Sequence, residues 1–171
     1  MNLNISNINC DIYFNKMLLN TNETFENSNI IVNILNDDDT LTNQYIDCCI
    51  SSNGSHYDIS LTIYEILKNK FRYVGTNNWE YYDDINKIWK IDDKTERFKY
   101  NIRNVVSNFF IARSIFWDKK SKEETDNCNI SIDHQLRSVR LLQCSLKLKD
   151  NKYILTIIKE AKQFFILQND E

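Results

Sequence analysis

Two pairs of adjacent aspartates are the first candidates for chemistry in this sequence. Asp83 and Asp84, and likewise Asp92 and Asp93, could act as an acid–base pair or hold a cation. Both pairs fall where the pattern predicts a turn or a helix start, and aspartate is favoured there because its carboxylate accepts hydrogen bonds from nearby backbone N–H groups. We therefore interpret both pairs as structural and expect no catalytic residue.

Thiols and imidazoles are the second candidates. The chain has five cysteines, none in a Cys-x-x-Cys pair, and two histidines, so zinc ligands would have to be scattered. Cys128 or Cys144 with His134 could form a nucleophile–base pair, but no motif supports one. Cys144 lies near an apolar helical stripe, which is typical of an inert buried thiol. We expect reduced thiols and no metal site.

Composition excludes further classes of function. The 171 residues are 42% hydrophobic and 26% charged, which is typical of one globular domain. The two glycines, Gly54 and Gly75, lie outside any phosphate-binding loop pattern, so we exclude P-loop nucleotide hydrolysis and a dinucleotide-binding fingerprint. The first residues lack the features of a secretory signal, and no stretch matches a membrane helix. We expect an intracellular protein with no cofactor, no small-molecule substrate and no membrane contact.

Basic residues are the best candidates for a binding surface. Residues 1–60 carry a net charge of −7, whereas the segment from Lys94 to Lys162 has fifteen Lys or Arg against eight acidic residues. Such an excess suits phosphate contact or an acidic partner, although solvated helix faces give the same pattern. Exposed aromatic rings can stack on bases, while strand alternation favours core packing for the tryptophans. The predicted nucleic-acid-binding residues are Arg97, Arg103, Arg113, Arg137, Arg140, Lys147, Lys149, Trp79 and Trp89.

Hydrophobic periodicity predicts the elements that position these residues. Residues 1–40 form an Asn-rich acidic arm with one strand at Asn29–Leu35, and residues 41–171 form the domain. Ser55 and Asp58 resemble a capping box at the start of a helix. The predicted elements of the first half are helices at Leu41–Ile50 and Tyr57–Lys70 and strands at Phe71–Val74, Trp79–Tyr82 and Lys87–Ile91, which form an antiparallel meander.

The second half is predicted to be helical. A long helix starts at Asp93 and ends near Asp118, and a mobile charged loop follows at Lys119–Asn129. The fold class is therefore α+β, with a small three-stranded antiparallel meander packed on a mainly helical domain. The apolar positions predicted to face the core are Phe98, Ile102, Val105, Phe109, Ala112 and Phe116 in the long helix, Ile132, Leu136, Val139, Leu142 and Leu146 in the next, and Ile154, Ile157, Ile158, Ala161, Phe164 and Phe165 in a last helix capped by Asp150.

Three stretches of the chain together resemble a known family. The segments HYDISLTIYEILKNKFRYVG, WEYYDDINKIWKIDD and SLKLKDNKYILTIIKEAKQFF are similar to the module that precedes the helicase in poxvirus-type helicase-primases of large DNA viruses. The resemblance covers about His56 to Phe165. It implies a viral, non-enzymatic connecting module that supports DNA replication in the host cytoplasm or a viral factory. No Walker A motif or primase catalytic block is present, so no catalytic residue of the family maps onto this chain.

Two functions follow from this resemblance and from the charge pattern. The first is a replication accessory module that binds single-stranded or forked DNA, or a viral replication protein, through a basic helical surface. The second is an interaction module that has kept the fold and binds a host or viral protein, with the acidic arm required for partner capture. Deleting residues 1–40 distinguishes them, because it removes capture in the second case and leaves DNA binding unchanged or stronger in the first.

Overall fold

The computed structural model describes residues 41–75 and 78–166, and the predicted arm with its strand at Asn29–Leu35 lies outside them. Two helices come first, α1 at Leu41–Ser51 and α2 at His56–Leu67. The Ser55 hydroxyl accepts a hydrogen bond from the Asp58 N–H at 3.1 Å, which caps α2 as the capping-box pattern predicts.

A three-stranded antiparallel sheet follows. Its strands are β1 at Phe71–Val74, β2 at Asn78–Asp83 and β3 at Ile88–Ile91, in the order β1-β2-β3. Phe71 pairs with Tyr81, and Tyr82 pairs with Trp89. The sheet and the helices around it confirm the predicted α+β fold with a meander on a mainly helical domain.

The predicted long helix is divided into four segments. A 3₁₀ turn at Asp93–Thr95 leads into α3 at Glu96–Asn101, a π-helical turn occupies Ile102–Val106, and α4 spans Ser107–Glu123. A π turn uses more residues than an α turn, which rotates the residues after it around the axis. The prediction is therefore wrong for part of this stripe: Val106 and Phe110 are fully buried, whereas Val105, Phe109 and Phe116 are half-buried.

The predicted mobile loop at Lys119–Asn129 is also wrong over most of its length. Helix α4 continues to Glu123, and α5 begins at Cys128. Lys122 pairs with Asp118 at 2.7 Å, and Lys119 lies 3.8 Å from Glu123, both one helical turn apart. These i,i+4 pairs let a wholly polar sequence remain helical in water.

Helices α5, at Cys128–Lys147, and α6, at Asn151–Phe165, complete the domain. Helix α5 packs along α4, and α6 packs against α2. In α6 the predicted core positions are buried except Phe164, which is half-buried against the core. In α5 the prediction is wrong: Ile132, Leu136 and Leu146 are exposed, and the buried positions are Ser138, Leu141, Cys144 and Ser145.

The centre of the core joins the sheet to α3 and α6 through aromatic rings. The Trp79 ring stacks on Phe98 with 4.1 Å between ring centroids, and Phe165 meets the Trp79 ring edge-on at 5.1 Å. Phe71 lies 5.0 Å from Phe98. Because large rings bury much area in fixed geometry, this cluster sets how the meander sits on the helices.

Candidate nucleic-acid interface

Arg113 cannot contribute to the predicted nucleic-acid interface, because it is buried. The residue is only 3% exposed, and its Nη2 donates a hydrogen bond to Asp47 Oδ2 at 2.6 Å. Trp117 Nε1 donates to the other oxygen of the same carboxylate at 2.9 Å. The guanidinium therefore joins α4 to α1 as a buried ion pair, a geometry in which a partner is needed to offset the loss of hydration.

Trp79 cannot contribute to the predicted nucleic-acid interface either, because it is also buried. It is 2% exposed, and its ring contacts lie within the aromatic cluster of the core. The expected core packing of the meander tryptophans is therefore confirmed for Trp79. A nucleic-acid base cannot reach this ring in the folded domain.

Trp89 lies on the opposite, outer face of the sheet. Its ring is half-buried beside Tyr82, with 5.3 Å between centroids, and the Arg72 guanidinium lies 4.3 Å from the centre of the Trp89 ring. Arg72 also donates to Glu80 at 2.7 Å. The sequence reasoning missed Arg72, although the alternation of Arg72 and Glu80 on neighbouring strands could have indicated it. The Arg72 guanidinium therefore covers part of the Trp89 ring face on which a base would have to stack.

The turn between α5 and α6 gathers basic side chains from distant parts of the chain. Lys147, Lys149 and Lys152 are exposed there and form no ion pair among the described residues. Arg103 of the π turn reaches the same turn, where it donates to Asn151 Oδ1. We define these four residues as the basic corner: Arg103, Lys147, Lys149 and Lys152.

Local packing explains why the corner projects its charges. Leu148 is buried and anchors the turn, while Asp150 caps α6 by accepting from the Tyr153 N–H at 2.8 Å. Gly54, at a φ of 70°, brings the α1–α2 loop so close that a Cβ there would lie 3.0 Å from Cys144 Sγ. The apolar positions of the turn are thus taken by the core, and the lysines between them are left in water.

The remaining predicted residues divide between the corner and other sites. Arg140 is exposed and lies seven residues before Lys147, which places both on one face of α5, about 10 Å apart along the axis. Arg137 donates to Asp133 at 2.7 Å, and this bond lowers the pKa of the Asp133 carboxyl. Arg97 lies over the Tyr81 ring at 4.1 Å, beside the sheet. Of these three arginines, only Arg140 therefore extends the basic corner.

One aspartate of each adjacent pair, Asp83 and Asp92, holds local structure, as the sequence predicts for these positions. Asp83 accepts from the Ile85 N–H at 3.0 Å and from Lys90 Nζ, and the Lys90 bond is the main cause that lowers the pKa of Asp83. The buried Asp92 carboxylate accepts from the N–H groups of Arg97 and Phe98 at 2.9 and 2.8 Å. Both carboxylates are thus committed to a turn and to a helix start.

The thiols divide by burial. Burial raises the pKa of Cys49 to about 12, and Cys49 Sγ lies 3.4 Å from Thr62 Oγ1. Burial also raises the pKa of Cys144, whereas Cys48 and Cys128 are exposed. Within residues 41–75 and 78–166, no group of three or more His, Cys, Asp or Glu side chains is placed to hold a metal ion.

Comparison with protein-family models found no match, and comparison with curated proteins found none either. The resemblance to the helicase-primase module therefore rests on the three stretches of sequence quoted above. Among the described residues, no helix combines the length and the apolar character needed to cross a membrane.

Proposed function

We propose that this protein is a non-enzymatic accessory module of viral DNA replication that binds single-stranded or forked DNA through the basic corner and Arg140. The observation that carries the proposal is the convergence of Arg103, Lys147 and Lys149 at one turn. These side chains come from positions more than forty residues apart, and the lysines there form no ion pair among the described residues. Exposed cations of this kind bind phosphates by releasing condensed counterions.

The number of cations sets the expected dependence on salt. If the four corner residues and Arg140 each contact a phosphate of a single strand, the logarithm of the affinity falls with the logarithm of salt concentration at a slope of about −3.5. Arg113 and Trp79 add nothing, because they are buried. Since sequence is read from base edges and the corner offers mainly point charges, we expect little preference for base sequence.

The test is a fluorescence-anisotropy titration with labelled single-stranded and forked DNA at several salt concentrations. Replacing Lys147 and Lys149 by Gln should weaken binding and reduce the slope by about 1.4. The matched control replaces Lys70 and Lys87 by Gln, which removes the same charge from two exposed lysines directly before β1 and β3 that form no ion pair among the described residues. A slope near zero for the unaltered chain, or equal losses in the two variants, would contradict the proposal.

A second candidate function, binding of a host or viral protein, is favoured by the β2–β3 hairpin. Strand β3 lies at an edge of the sheet, and Ile85 at the hairpin tip is 91% exposed, with Ile88 and Ile91 also exposed. An edge strand with apolar side chains can pair with a strand of another protein. Replacing Ile85 and Ile91 by Asp should then abolish partner capture from infected cells and leave DNA binding unchanged.

A further inference from the structure

Helix α5 carries apolar side chains on two opposite faces. Its inner face packs on α4, whereas Ile132, Leu136 and Leu146 are between 48% and 59% exposed. At 100° per residue, these three side chains and the half-buried Val139 fall within an arc of about 80°. We define them as the outer stripe: Ile132, Leu136, Val139 and Leu146.

The surroundings of the outer stripe indicate what would cover it. Arg140 and Lys147 run along one side of the stripe, next to Leu136, and neither forms an ion pair among the described residues. An exposed apolar stripe, interrupted only by Gln143 and lying beside these cations, fits a segment that is both apolar and acidic. A second copy of the chain fits less well, because two-fold pairing of α5 centred on Val139 would bring Arg140 close to Arg140 of the other copy.

A segment of this chemistry immediately precedes α1. Five of the seven residues of Asn29–Leu35 are Ile, Val or Leu, and Asp37, Asp38 and Asp39 follow them. The chain enters the described domain at Leu41, in a helix that packs on both α4 and α5. Seven residues span about 23 Å when extended, and the stripe from Ile132 to Leu146 is about 21 Å long. The segment is therefore long enough to match the length of the stripe.

We propose that residues 29–39 bind across the outer stripe, with their apolar side chains on Leu136 and its neighbours and their aspartates beside Arg140 and Lys147. This contact covers two of the cations assigned to DNA, so the segment also reduces DNA affinity. That consequence, but not the contact itself, rests on the proposed function.

The contact is tested by photo-cross-linking in the full chain. Benzoyl-phenylalanine replaces Leu136 on the outer stripe or, as the control, the exposed Leu155 on α6, and cross-linked peptides are identified by mass spectrometry after irradiation. We expect a monomeric product in which position 136 is joined to a peptide from residues 29–39, and no such product from position 155. A dimeric product, a product joined elsewhere, or no product at position 136 would overturn the proposal.

A charge variant connects the contact to DNA binding. Replacing Asp37, Asp38 and Asp39 by Asn should reduce the yield of the cross-link several-fold and increase DNA affinity several-fold at low salt. Replacing the exposed Asp84 and Asp93 by Asn should alter neither quantity. Cross-linking without DNA binding would overturn only the proposed function, and DNA binding without the cross-link would overturn only the segment contact.

Discussion

Helices α5 and α6 are neighbours in the chain, yet they use their apolar residues in opposite ways. Helix α6 turns Ile154, Ile157 and Phe165 into the core. Helix α5 leaves Leu136 and Leu146 exposed and buries serines at positions that face α4. The difference reflects the α4–α5 contact, which uses serine side chains of α5 together with the His134 ring.

The contact between α4 and α5 includes small polar side chains beside the large Trp117 ring, which lies 5.2 Å from the His134 ring of α5. Ser114 Oγ lies 3.4 Å from Ser138 Oγ, and the Ser131 hydroxyl donates to the Ser121 carbonyl oxygen at 2.7 Å. Small residues let two helices approach closely, and their hydroxyls find partners there. Ile132, Leu136 and Leu146 are left exposed and can form a second contact on the outer side.

The largest expected effect is on the free energy of unfolding, which should fall much more for a variant in α6 than for one on the outer face of α5. Ile157→Ala removes a fully buried side chain from α6 and should cost about 2–5 kcal/mol of unfolding free energy. Leu136→Ala on the outer stripe should cost about 1 kcal/mol or less, because no rigid core surrounds that position. Urea unfolding followed by circular dichroism measures both. Similar losses would mean that the outer stripe belongs to the core after all.

An intermediate effect is expected from enlarging the small residues between α4 and α5. Ser138→Leu places a large side chain where the two helices are in contact, and overpacking of this kind costs about 1–3 kcal/mol. Gln143→Leu, on the exposed side of the same helix, should change stability by about 0.5 kcal/mol or less. The same urea titration compares the two, and a neutral Ser138→Leu would show that the helices are not closely packed.

The contrast between α5 and α6 also explains how far the sequence could predict the fold. In α6 one apolar face exists, so its periodicity identified the buried residues. In α5 the periodicity identified the apolar residues of the outer stripe, such as Leu136, but it did not show whether they face the core or the solvent. An apolar stripe on the outer side of a helix has the same spacing as one on its inner side. The residues that face α4, such as Ser138, carry no hydrophobic signal at all.

The candidate site was predicted in part for similar reasons. Net charge located the basic stretch, but charge alone does not distinguish an exposed cation from one paired inside the fold. Arg113 is paired with Asp47, sixty-six residues away in the chain, and no local pattern could indicate that partner. Lys152, which was not among the predicted contact residues, lies at the corner because a turn places it beside Arg103 and Lys149.

The smallest expected effect is a difference in chemical reactivity between the two thiols of α5. Cys128 at the start of the helix is exposed, whereas Cys144 on the inner face is buried, and burial raises the pKa of its thiol above the ordinary value of 9.0. At pH 8 iodoacetamide should therefore modify Cys128 in the folded chain and reach Cys144 only after unfolding in urea, as peptide mass spectrometry would record. The unfolded chain releases the Cys144 proton at a lower pH than the folded chain. The stability linked to this group is thus present below pH 9.0 and decreases as the pH rises further. Equal modification of both thiols in the native protein would mean that α5 opens away from the α1–α2 loop, and the contrast between its two faces would then be lost.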